Sequence, residues 1–171
     1  YRLPYNDLNP EVVANFEANR FSVTRQVHYS QTDTFKSVDM ALFVNGLAVA
    51  TLELKNPWTG QSVQNAVRQY RTDRDPKEPL FEFGRCLVHF AVDPDEAFMC
   101  AQLAGNDSNF LPFNKGFNYG KGNPVNPNGH KTAYLWQEIL PRRSLTNIIE
   151  QFAKFTVEKD KKTGKEIKLL V

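Results

Sequence analysis

An α/β fold, with a central mixed sheet flanked by helices, is predicted by three observations. Two β-rich runs, 38–44 and 47–55, meet across Asn45-Gly46, the dipeptide that best tolerates the positive φ angles of a tight hairpin. Apolar residues then recur at helical spacing over about 61–73, as Val63, Ala66, Val67 and Tyr70. Two further short apolar runs, 87–92 and 97–103, are separated by Asp93-Pro94-Asp95, and read as buried strands that pair. Strands interleaved with a helix of this length suit α/β organisation.

In chain order, 21–30 is compatible with a first strand through Val23, Val27 and Tyr29. The hairpin follows, and its second arm, Leu47 to Leu54, is almost continuously apolar, as suits a strand covered on both faces. Pro57 and Gly60 break the chain before the helix, which ends ahead of Pro76. Residues 110–131 carry so many Asn, Gly and Pro that long regular structure is excluded. A loop of that length either serves a function or forms an interface, or is poorly ordered; composition does not choose. A helix is predicted from Ser144, as N-cap, to about Lys154, with Leu145, Ile148, Ile149, Phe152 and Phe155 on one stripe. The chain ends in a predicted hairpin, 155–159 and 166–171, around Gly164.

Length and composition bound the function. The 171 residues suffice for one domain with its own core, so 1–171 is read as a single domain. Twenty-one Lys plus Arg against 19 Asp plus Glu give a net charge of +2, so any nucleic-acid surface must come from local clustering. Cys86 and Cys100 have no C-x-x-C spacing, which favours a reducing, cytoplasmic setting, and no apolar run reaches the length of a membrane span. The absence of an initiator Met and the abrupt ends lead us to expect a fragment of a longer chain.

Glu53-Leu54-Lys55 is where chemistry concentrates. The period of two along a strand puts Glu53 and Lys55 on one face and Leu52 and Leu54 on the other. Charges in a covered strand are costly without a partner or a task, which favours function over a surface ion pair here. With Asp39 from the first arm, two carboxylates supply the hard oxygen donors that Mg²⁺ takes, and the Leu54 carbonyl is a natural further ligand. Lys55 would orient the attacking water and stabilise developing phosphorane charge. One geometric condition attaches. A regular ladder from a two-residue turn pairs Asp39 with Leu52 and sets Asp39 and Glu53 on opposite faces. The site therefore requires a bulge, a three-residue loop or a bend that re-aims Asp39.

This segment, VDMALFVNGLAVATLELKN, resembles the PD-(D/E)xK nuclease pattern, in which an acidic-x-Lys tripeptide follows an Asp on the preceding strand. With QYRTDRDPKEPLF, GRCLVHFAVD, FLPFNKG and TAYLW, the chain from about Asn19 onward resembles the N-terminal nuclease region of the restriction subunit of type I restriction-modification enzymes. The resemblance implies a PD-(D/E)xK core, Mg²⁺-dependent cleavage of double-stranded DNA, and association with modification and specificity subunits. It also implies an ATP-driven motor beyond Val171; no phosphate-binding loop motif occurs within the chain, so ATP is expected only there. The Q-x-x-x-Y motif of many such nucleases is absent in literal form. Gln69 is the expected match in the helix, with Gln64 in reserve.

Arg68, Arg71 and Arg74 on the helix and its end, and Lys115 and Lys121 in the long loop, are candidate DNA contacts, although a solvated face explains each singly. His28, His89 and His130 share no ligand spacing, which argues against zinc, and His130 lacks the context of an HNH nuclease. Tyr29, Trp58 and Trp136 read as packing residues rather than stacking platforms. Two alternatives compete with the type I nuclease reading: a non-catalytic DNA-binding or docking module of the same assembly, and a branched-DNA or repair nuclease of the same class.

Overall fold

A computed structural model describes the backbone of residues 8–159 and 166–170 and the side chains of 8–154. Strands β1 (Phe21–His28), β2 (Ser37–Val44), β3 (Leu47–Leu54), β4 (Val88–Val92), β5 (Ala97–Cys100) and β6 (Leu111–Pro112) form one mixed sheet in that order. All neighbours are antiparallel except β3 and β4, which run parallel and are joined through helix α2 (Val63–Thr72). The α/β expectation is met.

Each face of the sheet carries its own core. Val63, Ala66, Val67 and Tyr70 form the buried stripe of α2 and pack with Tyr29, Val38, Phe81 and Ala91. On the opposite face Leu42, Ala50, Leu52 and Phe90 pack with Tyr134, Leu135 and Leu145, the last from helix α3 (Arg142–Phe152). Burial of each of the larger of these side chains contributes about 1.5–3 kcal/mol, which offsets the ordering entropy of the elements that carry it. Central strand β3, buried from Val49 to Glu53, separates the two cores.

Several boundaries differ from expectation. Helix α1 (Pro10–Glu17) was not anticipated, although Asn9 caps it, accepting from the amides of Glu11 and Val12, and Pro10 opens it. Helix α3 starts two residues before Ser144, with Pro141 at its cap; the Leu145 amide already donates to Pro141 O. A single π-type turn, Leu135–Ile139, precedes it. The 110–131 loop is tethered through buried Asn123, whose amide donates to Asp95 O and Asn114 Oδ1 while its Oδ1 accepts from the Lys115 amide. The terminal ribbon pairs β7 (Phe155–Lys159) with β8 (Glu166–Leu170); the turn around Gly164 lies outside the described residues. Among the described residues no helix is long and apolar enough to cross a membrane. Cys86 and Cys100 are both buried and unpaired.

Candidate active site

The hairpin turn is the two-residue type, with Asn45 at φ 52° and Gly46 at φ 83°, and it starts the regular ladder Val44↔Leu47 and Phe43↔Ala48. Next comes Leu42↔Ala50: Val49 has no partner, and every later pair is shifted by one, ending in Met40↔Leu52. One further step sets Asp39 beside Glu53. The bulge that the site required is present.

A second irregularity acts on Asp39 from β1. Gln26 has φ 50°, and the pairing of β1 with β2 skips it, running from Arg25↔Met40 to Val27↔Val38. The skipped position is the one opposite Asp39. Here the alternation of β2 breaks, because Val38 joins the α2-side core whereas Met40 and Leu42 pack on the other face. Asp39 is thereby released toward β3: its Oδ2 accepts the Leu54 amide at 2.8 Å, and its Oδ1 accepts from Gln26 Nε2 at 3.3 Å. No sequence signal marks Gln26, since a left-handed glutamine has no motif.

Glu53 is fully buried on the α2 side. Arg74, just beyond α2, places both Nε (2.8 Å) and Nη2 (2.6 Å) on its Oε1. The remaining oxygen, Oε2, is buried and has no hydrogen-bond partner among the described residues. Arg74 is itself fixed by Ser37 O at 2.9 Å and the Tyr29 hydroxyl at 3.2 Å. Burial outweighs this guanidinium and, with help from nearby Asp39, lifts the Glu53 carboxyl to about 7. The Arg74 pKa is raised as well: burial pulls it down, but its interactions with Glu53 and Tyr29 outweigh that and hold the guanidinium more firmly charged.

Lys55 follows β3, and its Nζ donates to Oε1 of Gln69 on α2 at 2.5 Å. The structure thus brings Asp39, Glu53, Lys55 and Gln69 to one end of the sheet on its α2 side, while Gln64 lies exposed on the helix. Asp93, at the end of β4, is not a spare carboxylate. Its Oδ2 caps the Val63 amide of α2 and its Oδ1 accepts from Asp95 and Glu96.

Two carboxylates with one bare buried oxygen form a donor set that fits Mg²⁺, an ion commonly held by one or two carboxylates with water and phosphate oxygens completing the shell. Among the described residues no group of three or more His, Cys, Asp or Glu is arranged to hold a metal ion.

The candidate DNA contacts divide. Arg74 is corrected: it is 6% exposed and spent on Glu53. Arg71 is likewise engaged, donating through Nε and Nη2 to Ser108 O and lying over the Phe110 ring. Lys115 is paired with both oxygens of Glu138. Arg68 and Lys121 are exposed, and Arg68 lines a polar cleft with Lys55 and Gln69. Tyr29 packs as expected, but Trp58 and Trp136 do not: they are 95% and 47% exposed.

The model of the type I restriction enzyme R protein N terminus matches residues 11–108, which include all four converging side chains. A Methanocaldococcus jannaschii protein, provisionally named the type I restriction enzyme MjaIXP endonuclease subunit, is 27% identical over 77 residues, covering 43% of this chain and 7% of that protein. The chain therefore spans a small part of that relative's length. No solved structure matches. With the family model covering more than half of its length, the chain belongs to the family of type I restriction enzyme R protein N termini.

Proposed function

We propose that the chain is the Mg²⁺-dependent endonuclease domain of a type I restriction enzyme, hydrolysing phosphodiester bonds of double-stranded DNA within an assembly that includes modification and specificity subunits. The observation that carries this reading is the bare, buried Oε2 of Glu53 beside Asp39 and within the electrostatic reach of Lys55. Asp39 and Glu53 would hold Mg²⁺, with the Leu54 carbonyl as a further ligand. Bound there, the ion supplies Lewis-acid polarisation of the phosphate and an acidified water.

The remaining roles belong to the chain's own groups. Lys55 donates to the non-bridging phosphate oxygens as negative charge grows on them, and a positioned donor is worth most where water is excluded. Gln69 holds the Lys55 ammonium in place, limiting the rotamers that this long side chain would otherwise sample. Arg74 locks Glu53 Oε1, which leaves Oε2 as the oxygen that would serve an ion.

The test is cleavage of plasmid DNA by the full-length subunit with its partners. Lys55 is only half-buried, with its ammonium on Gln69, so Lys55→Ala is expected to fold normally. Cleavage should fall on the order of a hundred- to a thousand-fold. Undiminished Mg²⁺-dependent cutting by a folded Lys55→Ala enzyme would overturn the nuclease reading and leave a docking role.

A further inference from the structure

Lys55 lines two clefts. One is polar, with Gln61, Arg68 and Gln69 on its walls. The other, of about 220 Å³, opens at the carboxyl ends of the parallel strands β3 and β4, and Asn56, Trp58, Pro94, His130 and Trp136 line it. Ligands of α/β proteins commonly bind outside the carboxyl ends of parallel strands.

The second cleft contains every tryptophan in the chain. A single exposed aromatic needs no explanation, but two indoles left in water around one concavity beside a candidate catalytic lysine do. Trp58 is presented by a rigid turn and not by a loose loop. Asn56 Oδ1 accepts the Trp58 amide at 3.0 Å, Thr59 Oγ1 donates to Asn56 O at 2.7 Å, Pro57 fixes φ, and Gly60 closes the turn at φ 71°. Such a turn holds the indole ready without a large ordering cost on binding. The floor is equally firm, since Thr132 Oγ1 donates to Asp93 O at 2.8 Å. The exposed His130 ring adds a polar edge to apolar walls.

We propose that this cleft receives one unpaired nucleobase of the DNA strand being cut, stacked on Trp58 and Trp136, while the adjoining phosphate lies at Lys55 and the backbone continues past Arg68. The proposal rests on the nuclease reading and adds a base-binding subsite to it. Indole faces stack on any base, so the subsite is tolerant of sequence. The cleft is smaller than the roughly 300 Å³ at which sites for drug-sized ligands begin, which suits a single ring system. A base can enter only after leaving its stack, so the subsite favours frayed, mispaired or single-stranded positions over intact duplex.

Because both tryptophans line the cleft, intrinsic fluorescence of the chain reports on it directly. With EDTA present so that nothing is cut, a short oligothymidylate and a duplex carrying one central mismatch are each expected to quench the emission, and a fully paired duplex of equal length much less. Trp58→Ala, at a surface position, should weaken oligothymidylate binding roughly five- to a hundred-fold, and Trp58→Phe should recover part of the loss. Absence of quenching by any DNA, equal quenching by the paired duplex, or unchanged affinity in Trp58→Ala overturns the proposal. Failure of these binding measurements alongside a severe Lys55→Ala cleavage defect removes only the subsite. Quenching with cleavage unaffected by Lys55→Ala removes the nuclease reading and leaves the nucleotide site.

Discussion

Both contacts that the Arg74 guanidinium makes with Glu53 fall on Oε1, and Oε2 of the same buried carboxylate has no partner among the described residues. One cation therefore does not complete the coordination of this group. Its carboxyl remains lifted to about 7 despite the neighbouring guanidinium, so a second cation and a proton compete for the same place.

That competition predicts how Mg²⁺ binding varies with pH. With half-ionisation near 7, Glu53 is mostly protonated at pH 6 and mostly ionised at pH 8. Apparent Mg²⁺ affinity, measured by calorimetry, should rise roughly ten-fold across that interval and level off above it. Asp39→Ala should remove the binding at both pH values. Affinity that is flat from pH 6 to 8, or retained without Asp39, would show that the ion sits elsewhere.

In metal-free protein the same group opposes His89, which is buried, with Nδ1 2.7 Å from Thr51 Oγ1. Desolvation lowers His89 from 6.5 to about 4, so its contribution is present above pH 6.5 and is lost as pH falls toward 4. Glu53 is raised from 4.5 to about 7, so its contribution is present below pH 4.5 and is lost as pH rises toward 7. Between about 4.5 and 6.5 the two slopes largely cancel. In Glu53→Gln the His89 slope is left uncovered, and unfolding free energy should drop by about 3 kcal/mol between pH 6.5 and 4. His89→Asn should show the opposite trend, a loss as pH rises from 4.5 to 7. Denaturant titrations across this range check both, and superimposable profiles for wild type and Glu53→Gln would refute the assignment.

How much of this was legible follows from which interactions are local. Asn45-Gly46, the apolar run of β3 and the α2 stripe are written in adjacent residues, so the hairpin, the helix after it and the shared face of Glu53 and Lys55 followed. The need for a register shift was also legible, because the parity of Asp39 and Glu53 demanded it; its position at Val49 was not, since no residue there favours a bulge. Gln69 was a choice among glutamines that its bond to Lys55 now separates from exposed Gln64. Arg74 was misread because its partner lies 21 positions back, and an arginine at a helix end looks the same whether it faces phosphate or a buried carboxylate. Trp58 was misread for a related reason: burial of an aromatic depends on what the rest of the fold brings over it, and among the described residues nothing is brought over Trp58.

The three arginines of α2 and its end should accordingly separate in experiment. Arg68 is exposed beside Lys55, so Arg68→Ala should weaken DNA binding about equally for all sequences and reduce the log-log salt slope by roughly one, with stability nearly unchanged. Arg74→Ala should do the reverse. Removing it strands a buried carboxylate and leaves Ser37 O without its donor, a loss of about 3–5 kcal/mol read by urea denaturation. Arg74→Lys should recover only part of this, because one ammonium cannot reproduce the guanidinium's simultaneous contacts with Glu53, Ser37 and Tyr29. Arg71→Ala is expected between them, losing its bonds to Ser108 O and its place over Phe110 while the salt slope stays put. A salt slope that falls in Arg74→Ala while stability holds would place Arg74 on the DNA after all, and would withdraw its role in orienting Glu53.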